Sequence, residues 1–234
     1  MCGRYTLAAG IDALQEALPG FVFPAQLPLR YNITPGQEIL LIPNTGENRA
    51  EVFRWGLVPS WAKDPKIGNR MINARAETLA EKPSFRTAYR RRRCLIMADG
   101  FYEWRQDPGV KGKTPMYIRL KSGKPFVFAG LWESWRSPDG SVLRTCTIIT
   151  TAPNALMEAI HNRMPVILPP EAYKVWLLPD EADPRDLDGL LRPYPDAEMV
   201  AYPVSRLVNN PGADTPDCIK PAEPADPSEP PTLF

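Results

Sequence analysis

Proline limits what this chain can build. Twenty-eight of its 234 residues are proline, about twice the ordinary share of ~5%. Each proline fixes φ and lacks an amide hydrogen, so it ends or kinks a helix and is kept out of central strands. Long helices are therefore excluded over most of the chain. What remains is many short elements joined by turns.

The apolar pattern places those elements. IDALQEAL (11–18) has helical spacing and is closed by Pro19-Gly20. EILLIP (38–43) and AEVFRWGLV (50–58) read as strands around a turn at Asn44-Thr45-Gly46. A short helix is predicted over 83–91, then a strand over CLIMADGFYEW (94–104). PMYIRL (115–120), PFVFAGLWESW (125–135) and VLRTCTIITT (142–151) continue in strand character. ALMEAIH (155–161), EAYKVWLL (171–178) and PRDLDGLL (184–191) read as helices, RMPVILP (163–169) and EMVAYPVS (198–205) as strands. There is no repeat and no linker long enough to divide the chain. The fold class is α+β: a single domain over residues 1–220, with a β-rich mixed or antiparallel core and short peripheral helices. The acidic, proline-rich stretch 221–234 reads as a disordered tail.

With 44% apolar and 24% charged residues the composition is that of a globular protein. No apolar run approaches the ~18 residues needed to cross a bilayer. The opening MCGRYTLAAG lacks the charged-then-apolar pattern of a secretory signal, so a cytoplasmic location is expected. The cysteines, Cys2, Cys94, Cys146 and Cys218, lie far apart, which argues against a zinc cluster and a disulfide framework. Net charge is only +1, so any contact with nucleic acid must come from a local basic groove. The run Arg90-Arg91-Arg92-Arg93 is the conspicuous patch, though such runs are more often solvated faces.

Four residues stand out chemically. Removal of Met1 would leave Cys2 with a free α-amine and a thiol on adjacent carbons. An α-amine has a reference pKa of ~7.7–8.0 against ~10.4 for lysine, so part of it is neutral at physiological pH. A neutral amine condenses with an aldehyde to an imine, and the neighbouring thiol can close a five-membered thiazolidine. An internal cysteine cannot, because its nitrogen is an amide. His161, the single histidine, sits at a predicted helix-to-strand junction and suits a proton carrier near neutral pH. Glu103 lies between Tyr102 and Trp104, where an inward carboxylate would have a raised pKa; strand alternation could equally turn it to solvent. Asn73 lies in a polar stretch with Arg75 and Glu77, and taken singly reads as a turn or cap residue.

Together with their surroundings these residues resemble the SOS response-associated peptidase (SRAP) family of abasic-site processing proteins. The matching pieces are MCGRY, RYNITPG (30–36), RWGLVPSWAKD (54–64), INARAET (72–78) and CLIMADGFYEW (94–104). FAGLWESW (128–135), IITTAPNALMEAIHNRMPVIL (148–168) and YPVSRLVNN (202–210) follow in the family order.

The resemblance implies the SRAP fold, DNA damage response, and abasic sites in single-stranded DNA as partner, including single-strand/duplex junctions. It implies a monomer, nucleoid-associated when on DNA, with no metal or cofactor. Cys2 would form a stable thiazolidine cross-link with the sugar aldehyde. Asn73 would hydrogen-bond the sugar or linkage, Glu103 would shuttle protons, and His161 would help open the sugar ring. Weak abasic-site lyase activity and self-removal of Met1 are implied as well. Arg4, Arg75 and Arg163 would hold phosphates with Thr150 nearby, and Pro35 and Trp61 would stack on or wedge between bases. Two other readings of the residues stand beside this one: a non-covalent reader of single-stranded or modified DNA, and an N-terminal-nucleophile amidohydrolase with Cys2 as thiol nucleophile.

Overall fold

The structure, a computed structural model, describes residues 2–109 and 112–222. In chain order the elements are β1 (Tyr5–Leu7), α1 (Ile11–Ala17), β2 (Arg30–Ile33), β3 (Glu38–Pro43), β4 (Glu51–Trp55), β5 (Asn73–Arg75), α2 (Arg86–Arg91) and β6 (Arg93–Ala98). Then come β7 (Gly100–Arg105), β8 (Thr114–Leu120), β9 (Phe126–Arg136), β10 (Val142–Thr151), α3 (Ala155–Glu158), β11 (Met164–Pro165) and β12 (Ile167–Leu168). α4 (Tyr173–Trp176), α5 (Pro184–Asp188) and β13 (Met199–Pro203) complete the set. No helix among the described residues is long and apolar enough to cross a membrane.

The strands form two sheets. One is antiparallel in the order β13-β8-β7-β1-β2. In the other, β10-β4-β3-β6-β9 closes on itself because β9 also pairs with β10. Closure removes exposed strand edges, which are otherwise templates for unwanted pairing. β4 and then β5 run parallel to β10, so successive parts of one long strand collect two distant segments of the chain.

Between the sheets lies a core that includes Tyr5, Trp55, Phe101 and Phe128. Tyr5 packs edge-on against Trp55 and Phe128, with centroids 5.4 and 5.7 Å apart. Burying side chains of this size contributes about 1.5–3 kcal/mol each. The N-terminus is thus pinned into the centre of the molecule by its fifth residue.

The expected α+β, β-rich single domain is what the chain forms. Its details depart from the sequence reading where the chain changes layer. The run 94–104 is two strands, not one: β6 belongs to the closed sheet and β7 to the open one. The switch falls at Asp99-Gly100, where a Cβ on Gly100 would stand 2.1 Å from the Tyr117 hydroxyl. Asp99 stitches the corner by accepting from Thr6 Oγ1 at 2.5 Å and from the Ala8 amide at 2.7 Å. β1 and β2, too short and polar to show in the pattern, flank each other at the site. The helices expected over 155–161, 171–178 and 184–191 are single turns, and 163–169 is two dipeptide strands around Val166. Of the stretch set apart at 221–234, Pro221 bridges to Val204 and the Ala222 amide donates to Pro203 O. Residues 223–234 lie outside the described residues.

The arginine run is spent on architecture. Arg90 and Arg91 pair with Glu181, and Arg92 with Glu133. Arg93 is fully buried and donates to the carbonyls of Tyr89, Arg90, Trp176, Leu178 and Asp180 at 2.5–3.3 Å. These are carbonyls at and beyond the ends of α2 and α4, which a helix leaves unsatisfied. Arg93→Ala is expected to cost about 3–5 kcal/mol in urea unfolding, since several buried acceptors lose their donor at once. A loss under about 1 kcal/mol would show that water replaces the guanidinium.

Candidate functional site

The site forms where the N-terminus runs along β7. Tyr5 pairs with Phe101 and Thr6 with Gly100, and the Tyr102 amide donates to Arg4 O at 3.0 Å. Carried back in that register, residues 2–4 lie alongside residues 102–104. Cys2 has no exposed surface, and Glu103 is 3% exposed. Burial, then the charge of Glu103, pushes the Cys2 thiol well above its ordinary range. Burial likewise raises the Glu103 carboxyl, while the charge of His161 draws it part of the way back. Glu103 therefore lies within electrostatic reach of both Cys2 and His161.

Asn73 enters from the opposite sheet. β5 is held parallel to β10 by the register Ile148–Asn73. From there Asn73 Nδ2 donates to Cys2 O at 2.8 Å. Its Oδ1 is buried and has no partner among the described residues.

His161 comes from the loop after α3. Asn154 caps that turn by accepting from the Met157 amide at 2.9 Å, and the His161 amide donates to Met157 O at 2.8 Å. The Arg163 amide donates to Nδ1 of His161 at 3.0 Å. Nδ1 also lies 3.2 Å from Arg163 O; the shorter amide contact favours the neutral tautomer with its proton on Nε2.

Arg163 is held firmly. Its guanidinium forks onto Glu77 at 2.7 and 2.9 Å and also donates to Thr150 O at 2.6 Å. That bidentate bond holds the Glu77 carboxyl below its ordinary range, against a smaller opposing effect of burial. Thr150 is fully buried and acts here as a support for Arg163. Arg75 lies opposite Thr150 in the ladder and is exposed. Arg4 spends its guanidinium inside the protein, on Asn32 Oδ1 at 2.9 Å and Val208 O at 2.6 Å, beside the Trp104 ring. Pro35 is half-buried in the turn after β2, and Trp61 is 58% exposed.

Two contributors escaped the sequence reading. Glu77 sits within INARAET but, as a charged residue among charged residues, looks solvated. Asn32 is fully buried and donates through Nδ2 to the carbonyls of Asn210 and Ala213 at 3.0 and 2.7 Å. It ties the YPVSRLVNN segment to β2 and to Arg4. A polar residue between apolar neighbours in RYNITPG was the only signal. A groove of about 380 Å³ between Leu18, Phe21, Tyr173 and Leu177 is lined by none of the candidate site residues.

The family described as SOS response associated peptidase (SRAP) matches residues 1–211. Abasic site processing protein YoqW of Bacillus subtilis (strain 168) is 53% identical over 224 residues, covering 94% of this chain and 99% of its own. Abasic site processing protein HMCES of Rattus norvegicus is 32% identical over 272 residues, covering 95% of this chain and 76% of its own. A solved structure of a protein from Bacteroides thetaiotaomicron has a TM-score of 0.80 at 28% identity, over 95% of this chain and all of that one. The match along 211 residues and the full-length similarity to YoqW show that the chain belongs to the SOS response-associated peptidase family.

Proposed function

We propose that this chain processes abasic sites in single-stranded DNA by capturing the sugar aldehyde on Cys2. The observation that carries the proposal is a buried cysteine at the second position, with Asn73 bonded to its carbonyl and Glu103 in electrostatic reach of both it and His161. The names of YoqW and HMCES as abasic site processing proteins support it.

Hydrolysis of the Met1–Cys2 peptide bond opens the sequence of steps, and self-processing at this site is part of the proposal. The freed amine attacks the aldehyde carbon, and the carbinolamine expels water to give an imine. The thiol then adds to the imine carbon, its proton passing to nitrogen, and a thiazolidine closes. The balance is one water lost per cross-link. Glu103 is a buried carboxyl with a raised pKa, suited to giving and taking these protons. His161, with Nδ1 engaged, offers Nε2–H toward the sugar ring oxygen. Asn73 Oδ1 is the acceptor for a sugar hydroxyl. β-Elimination from the imine would give weak lyase activity. Arg75 and Arg163 are the phosphate ligands of this reading. Arg163 must exchange Glu77 for phosphate to serve, and Arg4 steadies the N-terminal strand rather than reaching out. Pro35 and Trp61 contact bases, a single strand or a single-strand/duplex junction is the substrate, and the monomer is the working form.

The test is a denaturing gel of Met1-processed protein incubated with a single-stranded oligonucleotide carrying one abasic site. A heat-stable protein–DNA band, missing with the undamaged oligonucleotide, is expected. Binding without that band would move the assignment to a non-covalent reader.

A further inference from the structure

β1 is too short to hold its own place. It spans three residues and pairs with β7 at two of them, Tyr5 against Phe101 and Thr6 against Gly100. On its other side the pairing with β2 slips: Tyr5 faces Ile33 and Leu7 faces Arg30, with the irregularity falling at Thr6. Tyr5 anchors the strand by apolar packing, which is non-directional and fixes depth rather than position along the strand. Position along β7 nevertheless decides which groups meet at the N-terminus, because a slip of one residue turns each side chain to the opposite face.

Thr6 supplies what packing lacks. It is fully buried, and its Oγ1 meets Asp99 Oδ1 at 2.5 Å and the Tyr117 hydroxyl at 2.9 Å. Asp99 is half-buried at the corner between β6 and β7. Its backbone amide donates to Thr6 O at 3.0 Å, and its Oδ2 accepts from the Ala8 amide at 2.7 Å. An ionised carboxylate only accepts, so the threonine proton goes to Asp99 and the tyrosine proton to Thr6. Tyr117 belongs to β8, where it faces Tyr102, and it reaches Thr6 across β7. Gly100 makes that crossing possible, since any Cβ there would collide with the Tyr117 hydroxyl. One chain, Tyr117 to Thr6 to Asp99, thus ties three neighbouring strands at a single point. Hydrogen bonds are directional, so this chain holds Thr6 in place along β7. Cys2 lies four residues before Thr6, at most ~14 Å away along the strand.

We propose that the Tyr117–Thr6–Asp99 chain is a positioning device for the reaction: it fixes the register of β1 on β7 and so sets the α-amine and thiol of Cys2 against Glu103. Thr6, Asp99 and Tyr117 are positioning residues, distinct from the groups that transfer protons. The inference rests on the reading of Cys2 as the aldehyde-capturing residue. A misplacement of about 1 Å can cost ~10²-fold in rate, so the chain need not fail outright to be felt at the chemistry.

The test measures cross-linking rates over a range of concentrations of a single-stranded oligonucleotide with one abasic site. Met1-processed parent, Thr6→Val, Thr6→Ser and Tyr117→Phe are compared, each below its own melting temperature. Thr6→Val keeps the shape and removes the hydroxyl. Its saturating rate is expected to fall about 10- to 100-fold, with the half-saturating concentration unchanged. Thr6→Ser, which restores the hydroxyl, should return the parent rate. Tyr117→Phe keeps the ring and removes one bond of the chain, so its rate should fall by less. An unchanged saturating rate in Thr6→Val, or in Tyr117→Phe should Thr6→Val fail to fold, would overturn the inference. So would a loss confined to the half-saturating concentration, which would place Thr6 in DNA binding. Thr6→Ser as slow as Thr6→Val would make the methyl group the feature that matters and overturn the inference as well. A parent that forms no cross-link would instead overturn the functional reading beneath it.

Discussion

Cys2→Ala is expected to abolish the heat-stable protein–DNA product while leaving a trappable imine. Alanine at position 2 keeps the α-amine once Met1 is gone, so nitrogen can still condense with the aldehyde. What it lacks is the sulfur that closes the ring, and an open imine hydrolyses on heating. Borohydride added during the reaction should therefore rescue a band with Cys2→Ala, whereas the parent product should form without it. Blocking the amine instead, by an extension that keeps residue 1 in place, should remove both bands. A variant whose heat-stable band survives the loss of Cys2 would place the linkage on another residue. The two manipulations separate nitrogen chemistry from sulfur chemistry, which a single knockout cannot do.

Glu103→Gln carries the second large effect. General acid–base assistance contributes ~10²–10⁴-fold, and a loss in that range is expected for cross-linking at saturating DNA. The pH dependence should change with it. Burial raises the Glu103 carboxyl in the folded protein, so protonation of this group shapes the acid limb of the parent profile; glutamine should remove that limb. The stability consequence has the opposite sign. A carboxyl whose folded pKa exceeds its unfolded value favours folding below the unfolded pKa and loses that contribution as pH rises through the folded one. Above its folded pKa the ionised Glu103 is a burden on the fold, and Glu103→Gln should melt no lower than the parent there. A variant that lost activity together with several degrees of melting temperature would make Glu103 a structural residue.

How much of this could be read from residues alone follows from how local each feature is. EILLIP lies in the core at all but its first position, and its apolar run matched β3 to the residue. CLIMADGFYEW carried an equally strong strand signal, yet its middle turns from one sheet to the other. The Asp99-Gly100 pair was the warning, a turn signal masked by the apolar runs on either side. The short helices were overread because apolar spacing continues past the point where Pro and Gly end the turn, as at Gly189 after α5.

The site divides in the same way. Cys2, Asn73, Glu103 and His161 could be named because each lies in a distinctive motif. Spacing alone would have left Glu103 free to face solvent; β7 turns it inward beside Cys2. Residues that act by holding others were invisible. Nothing local distinguishes Glu77, which grips Arg163, or Arg93, which closes the ends of two helices. Four consecutive arginines read more as a solvated face than as a nucleic-acid patch, and prove to be ion pairs and a buried cap.

Intact-mass and peptide mass spectrometry of the cross-linked product would test the central claim most directly. The account expects a species of Met1-processed protein plus oligonucleotide less one water, with the sugar remnant on the N-terminal peptide at Cys2. A remnant carried by a lysine, or an equal yield from protein that retains Met1, would contradict it.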